Sequence, residues 1–285
     1  MAALYGALAG ALFGAMGVAV QVGLRRGGDA EGGAAIASSV AAVVAVVLAV
    51  SVGGEVVAAD LWPFAVAGVL VPGVSQFVFV QAIRHTGASR ALILIGTAPL
   101  LSVLLALVLL DEPFAPELLI GTVLVVAAGI VLAGEVRPEH FRILGGALAL
   151  LCAAMFAGRD NLVRWASREA HPPPLVATAT SLVCAAAVVV AWVVIARRRT
   201  LRERLSRSLT AFAVAGLCLG LAYSALIAGL DRGRVSVVAP LNATQSLWAV
   251  MFAAAFLRRS EAIGRRVILA AVLVVAGGAL IGIFR

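Results

Sequence analysis

Lysine is missing from this chain altogether: all 22 basic residues are arginine. We read that as the codon bias of a GC-rich, bacterial genome rather than as chemistry. Charge of either sign is scarce, with charged residues at 13% against 63% hydrophobic ones. A soluble domain carries about 25% and about 45–50%. A soluble fold of this length cannot hide so much apolar surface, because a large share of any small protein stays wet. A bilayer removes that restriction, and a mean hydropathy of +1.10 fits a polytopic integral membrane protein. The net charge of +8 sits in short breaks between apolar runs. It offers no contiguous basic face, so no nucleic-acid partner is expected. Cys152, Cys184 and Cys218 each lie inside an apolar run. Their spacing suits no metal and they read as small packing residues, so neither a metal site nor a cofactor is expected. The opening residues show no arginine-led start and no clear cleavage site, so the first apolar run reads as a retained span.

A membrane-spanning helix needs about 20 mostly apolar residues. Ten runs qualify: 4–23, 34–52, 61–83, 91–110, 118–134, 143–165, 175–196, 209–230, 235–257 and 267–284. Short hydrophilic breaks such as Asp111-Glu112-Pro113 and Asp231-Arg232-Gly233-Arg234 separate them. A β-barrel would need strands of about 10 residues with alternating polarity, whereas these runs are longer and apolar on every side. The fold expected is all-α, with the lipid bilayer as its surroundings.

The runs repeat. TVLVVAAGIVL at 122–132 returns as AVLVVAGGALI at 271–281, an offset of 149 that also carries Glu112 onto Glu261. GALA at 6–9 returns at 146–149. Three matches in the same order divide the chain into two five-span repeats, residues 1–137 and 138–285. Five is odd, so the second repeat must enter the membrane with opposite polarity. Inverted repeats of this kind enclose a central substrate cavity in many transporters.

On these features the chain resembles the drug/metabolite transporter superfamily in its ten-helix, EamA-like branch. The stretch TAPLLSVLLALVLLDE at 97–112 carries the likeness, with Pro99 early in the fourth span, Glu112 closing it and Gly121 in the fifth. The second repeat departs from the pattern. Thr244-Gln245-Ser246-Leu247 stands where a proline often falls, Pro240 comes earlier, and Arg258-Arg259-Ser260 precedes Glu261. The resemblance implies a secondary transporter or facilitator that moves small metabolites such as amino acids by alternating access, as export or exchange. It implies no enzyme.

Polar groups inside the spans are the candidate substrate contacts, since in hydrocarbon each needs a partner or water. The ninth span is richest. Asn242, Gln245 and Ser246 share a face at i, i+3 and i+4, with Trp248 beside Gln245, just after a proline that invites a break. Thr97 and Pro99 form the fourth span's paler counterpart. Gln21 of the first span corresponds to Asn161 of the sixth, and both lie near helix ends. Gln76 is the deeper of two glutamines in the third span. Tyr223 either caps a ligand or bonds a neighbouring helix. Arg159 and Asp160 suggest a buried ion pair, but they lie near the end of the sixth span. An interfacial bridge from Asp160 to Arg164 at i+4 is expected instead, with Arg159 snorkelling. With no carboxylate at mid-membrane, Asp160 is the one candidate for proton coupling. The fifth and tenth spans are nearly devoid of polar groups, so they are expected to face lipid or the sister protomer of a homodimer.

Two other functions compete with transport of small metabolites. A lipid or lipid-linked sugar translocator needs a lateral opening that a sequence does not display. An intramembrane transferase needs carboxylate clusters for Mg²⁺ and diphosphate, and the nearest approach, Asp111-Glu112, diverges on a helix. The expected location is the bacterial plasma membrane.

Orientation sets two arguments against each other. Loops after the odd-numbered spans hold 16 arginines, from Arg25 to Arg266, and the opposite side holds six: Arg159, Arg164, Arg168, Arg232, Arg234 and Arg285. The cytoplasmic side carries the excess, which puts both termini outside the cytoplasm. The family resemblance implies both inside. We follow the charge count, a property of this chain, and expect an alkaline phosphatase fused after Arg285 to be active. A fluorescent protein that glows there beside a silent phosphatase would give the family orientation instead.

Overall fold

The computed structural model of the chain describes residues 1–26, 29–52, 57–86, 94–133, 143–169, 171–197, 201–256 and 265–283, and all regular structure among them is helical. The first half contains α1 (Ala2–Arg25), α2 (Ala30–Val52), α3 (Trp62–Gly68), α4 (Ser75–Thr86), α5 (Ala98–Leu109) and α6 (Pro116–Ala133). The second contains α7 (Ile143–Glu169), α8 (Pro174–Arg197), α9 (Leu201–Arg232), α10 (Val235–Asn242), α11 (Gln245–Phe256) and α12 (Arg265–Ile283). A π-helical segment, Val69–Val74, joins α3 to α4. Seven stretches of the described residues are long and apolar enough to cross a membrane. Three shorter apolar helices, Ala98–Leu109, Pro116–Val131 and Ile268–Ile281, fall within or against the fourth, fifth and tenth runs of the sequence. The expected boundary at 137/138 and Glu261 lie outside the described residues.

Helix is the form these runs must take, because hydrocarbon offers backbone N–H and C=O groups no other partner. The outer surface agrees: Val43, Val47 and Val50 of α2, Leu104 and Val108 of α5, and Val272 and Val275 of α12 are all exposed. An apolar surface so continuous belongs in lipid.

α9 forms the buried centre, with residues 222–230 buried without interruption. Ala222, Ser224, Ala225, Ala228 and Gly229 are small, so α1, α2 and α8 approach α9 closely. The helix pairings come in matched sets. α1 and α2 pack on α9, and in the other half α7 and α8 pack on the α3–α4 stretch. α1 lies along α10 and α11, as α7 lies along α5. α2 pairs with α8 and α6 with α12.

Among the described residues, three breaks interrupt the ladder of helical hydrogen bonds. Val71 is extended, with φ −140° and ψ 118°, ahead of Pro72, which has no N–H to give and pushes its predecessor out of the helical region. The other two are a pair. Thr97 donates from its hydroxyl to the Leu94 carbonyl at 2.6 Å, and Thr244 to the Leu241 carbonyl at 2.7 Å. Each threonine's N–H reaches the same carbonyl at 3.2 Å, and each threonine carbonyl accepts from Leu100 or Leu247 at 3.0 Å. One turn thus recurs at an offset of 147 residues. Pro240, expected to break the ninth span, lies inside α10, and the break falls after it at Ala243–Thr244.

α1 can lie against the second break because it presents no side chain there. A Cβ on Gly10 would sit 2.8 Å from Thr244 Oγ1 and 3.0 Å from the Leu241 and Asn242 carbonyls. One on Gly14 would sit 2.6 Å from Trp248 Cβ and 2.8 Å from the Ala249 nitrogen. Gly14→Val should therefore overpack this contact and cost about 1–3 kcal/mol, read as a lower Tm in detergent. An unchanged Tm would mean that α1 does not seat here.

Candidate functional site

Between the matched breaks lies a cavity of about 320 Å³. From the α5 side it is lined by Ile95, Gly96, Ala98 and Pro99, and from the α10–α11 side by Asn242, Ala243, Gln245 and Ser246. These are the same four positions of the repeated turn, each pair separated by the same 147 residues. The wall is mainly apolar, and the second break brings the polar side chains of Asn242, Gln245 and Ser246 to it. α6 contributes Val125, Val126 and Gly129. That corrects the expectation that the fifth span faces only lipid or a sister protomer: Ile120, Val123 and Ile130 are exposed, but its other face borders the cavity. The contribution is space rather than polarity, because a Cβ on Gly129 would meet only Ser246 Oγ, at 4.0 Å.

α7 closes the cavity with Phe156, Arg159 and Asp160. Arg159 Nε lies 2.8 Å from Asp160 Oδ1, and the two residues are 5% and 4% exposed. The expected interfacial bridge to Arg164 is not formed. Arg164 Nη1 donates instead to the carbonyls of Leu230 and Asp231 at 2.9 and 2.7 Å. Each ion has other partners, and α7 continues to Glu169, which leaves Asp160 about 13 Å from its end at 1.5 Å per residue. Burial of opposite charges requires pairing and further hydrogen bonds, and both are present. Arg159 Nη1 donates to the Tyr223 hydroxyl at 2.9 Å, and that hydroxyl donates to the freed Val71 carbonyl at 2.9 Å. The Arg159 guanidinium also lies 5.3 Å from the centre of the Tyr223 ring and 6.0 Å from that of Phe156. Ser102 Oγ donates to Asp160 Oδ2 at 3.2 Å, and Asn161 Nδ2 donates to the carbonyls of Ser102 and Ala157. One network thus joins α5, α7, α9 and the break at Val71.

Of the residues singled out in the sequence, Asn242, Gln245 and Ser246 line the cavity. Thr97 makes the turn beside it. Asn161 and Tyr223 belong to the network. Gln21 and Gln76 are exposed on α1 and α4. Trp248 stacks on Phe252, with ring centres 5.7 Å apart, and backs onto Gly14. Arg159 and Asp160 read in the sequence as interfacial, with Asp160 only a candidate for proton coupling, because proximity to an expected span end looks like proximity to water. Two buried amide oxygens, Asn161 Oδ1 and Asn242 Oδ1, find no donor among the described residues.

At the end of the bundle near the N-terminus, charged side chains satisfy helix ends. The buried Glu112 carboxylate accepts the N–H groups of Val235 and Ser236, at 2.8 and 3.2 Å, and the Ser236 hydroxyl at 2.7 Å. It thereby caps α10 with the sign of charge that a helix start favours. Arg168 Nη1 donates to the Leu110 carbonyl after α5 at 2.9 Å. Beside this end, α1, α2, α9 and the start of α8 bound a second, apolar groove of about 550 Å³ with Arg232 among its lining.

Comparison with known proteins places this architecture. The EamA-like transporter family matches the chain twice, over residues 1–134 and 143–283. The chain belongs to the EamA-like transporter family. It is therefore a multi-pass membrane transporter of the drug/metabolite type. No curated protein matches the chain. A solved structure described as "Crystal structure of protein" has the same fold, with a TM-score of 0.83 over 100% of this chain and 99% of that one, at 19% identity.

In this EamA-like chain the Tyr223 hydroxyl joins Arg159 to the break in the third span. Tyr223→Phe keeps the ring, which meets Phe13 edge-on at 5.7 Å, and strands the Val71 carbonyl and one guanidinium donor. The variant should lose about 1–3 kcal/mol, measured as a fall in Tm; an unchanged Tm would show that the hydroxyl links nothing of consequence.

Proposed function

We propose that the chain is a secondary transporter or facilitator that moves small polar or amphipathic solutes, amino acids among them, out of the bacterial cell by alternating access. In this reading ten spans form two inverted five-span repeats, and the cavity between the breaks of α5 and α10–α11 receives the solute. The carrying observation is the matched lining: Ile95, Gly96, Ala98 and Pro99 face Asn242, Ala243, Gln245 and Ser246 across one cavity. The matched helix pairings support the same division. Solute contacts fall to Asn242, Gln245 and Ser246, whose amides and hydroxyl can both donate and accept. Glu112 and its partners seal the end of the bundle near the N-terminus.

The test uses space. Gly129 faces the cavity without a close neighbour, so Gly129→Phe should fill it while leaving the fold and Tm intact. Uptake or exchange of radiolabelled metabolites in proteoliposomes should fall at least about tenfold, as expected when a well-placed solute is excluded from its site. Wild-type rates in a well-folded Gly129→Phe protein would show that solutes pass elsewhere.

A further inference from the structure

We propose that Arg159 and Asp160 select a net-neutral zwitterion, the guanidinium taking the solute's carboxylate and the aspartate its ammonium group. This rests on the cavity being the solute site. With no solute bound, the two charges neutralise each other at 2.8 Å. A buried pair loses most when one partner is removed and the other is left uncompensated. A solute bearing only a carboxylate would claim Arg159 and strand Asp160; one bearing only an ammonium would do the reverse. A zwitterion replaces both partners at once.

The surroundings fit that exchange. Arg159 keeps its tethers to Tyr223 when it lets Asp160 go, and Asp160 keeps the Ser102 hydroxyl. Each ion therefore stays in place to meet the solute. On the α10 wall, the donorless Asn242 Oδ1 supplies another acceptor for an ammonium group. Bidentate guanidinium–carboxylate geometry adds directional selection on the other side. No further ionisable group among the described residues lines the cavity. α5 brings Ser102 to the pair, α9 brings Tyr223, and α11 brings the uncharged Gln245 and Ser246. Empty and loaded sites are both neutral, so transport of the zwitterion requires neither a proton nor a membrane potential.

The experiment uses the full chain in proteoliposomes with radiolabelled leucine, threonine and phenylalanine. The competitors are each amino acid's analogues lacking either the amino or the carboxyl group. The amino acid should compete with itself, and both analogues should compete on the order of 100-fold more weakly. An imposed pH gradient or potassium-diffusion potential should leave initial rates within about twofold. D160N should shift preference toward the carboxylate analogue, and R159Q toward the amine. A merely structural pair would lower the amino acid and both its analogues in parallel. Should the single variants fail to fold, the neutral double variant R159Q/D160N should carry all three with discrimination reduced to less than about tenfold. Analogues competing as well as the amino acid, or rates that follow the pH gradient, would overturn the proposal. If another solute crosses and Gly129→Phe blocks it while no amino acid is carried, the cavity reading stands and this inference falls. If nothing crosses at all, both fall.

Discussion

Every backbone N–H and C=O in hydrocarbon must find a partner inside the protein, and the architecture is organised around the places where the helical ladder fails to provide one. Among the described residues, three such places surround the polar centre of the bundle. At Thr97 and Thr244 the side-chain hydroxyl and the N–H turn back onto one carbonyl, so the break repairs itself locally. At Val71 the repair is remote: Tyr223, 152 residues away in sequence, gives its hydroxyl hydrogen to the freed carbonyl. The same hydroxyl then accepts from Arg159, so an unsatisfied peptide group and a buried cation answer one another.

The polar part of the bundle is consequently one connected object. Replacing the ion pair by apolar residues of similar volume would relieve desolvation and often stabilises a protein. Its place beside the cavity is the ground on which we propose recognition for it rather than stability. The glycines of α1 belong to the same economy of space: they let a helix settle against the turn at Thr244, which a larger side chain would push away.

Much of this is legible in the order of residues. Long apolar runs mark the helices, and the recurrence of TVLVVAAGIVL as AVLVVAGGALI anticipates the pairing of α6 with α12. Asn242, Gln245 and Ser246 stand out as polar groups in an apolar run, and they do share the cavity wall. What composition cannot supply is depth. Counting about 20 residues per span puts Arg159 and Asp160 at a span end, but α7 runs for 27, and the extra length carries the pair inward. Break positions are also obscure. Proline is the natural suspect, yet Pro240 is accommodated in α10 and a threonine ends the helix. Pro72 lies in a run that reads as continuous, although the chain breaks there. Gly129 is invisible for another reason: an absent side chain gives no polar signal, only room.

The contact at Glu112 also has a consequence for how the start of α10 is held. Its two carboxylate oxygens receive three donors from two consecutive residues, Val235 and Ser236, and those residues begin the helix that leads to the cavity wall. Moving that helix start away from α5 cannot release the donors one after another over a long path, since they are neighbours on a single turn. They must part together, and two N–H groups, a hydroxyl and a carboxylate then need water at the same moment. The contact is consequently all-or-none, and wetting of a single carboxylate is enough to uncap the helix start.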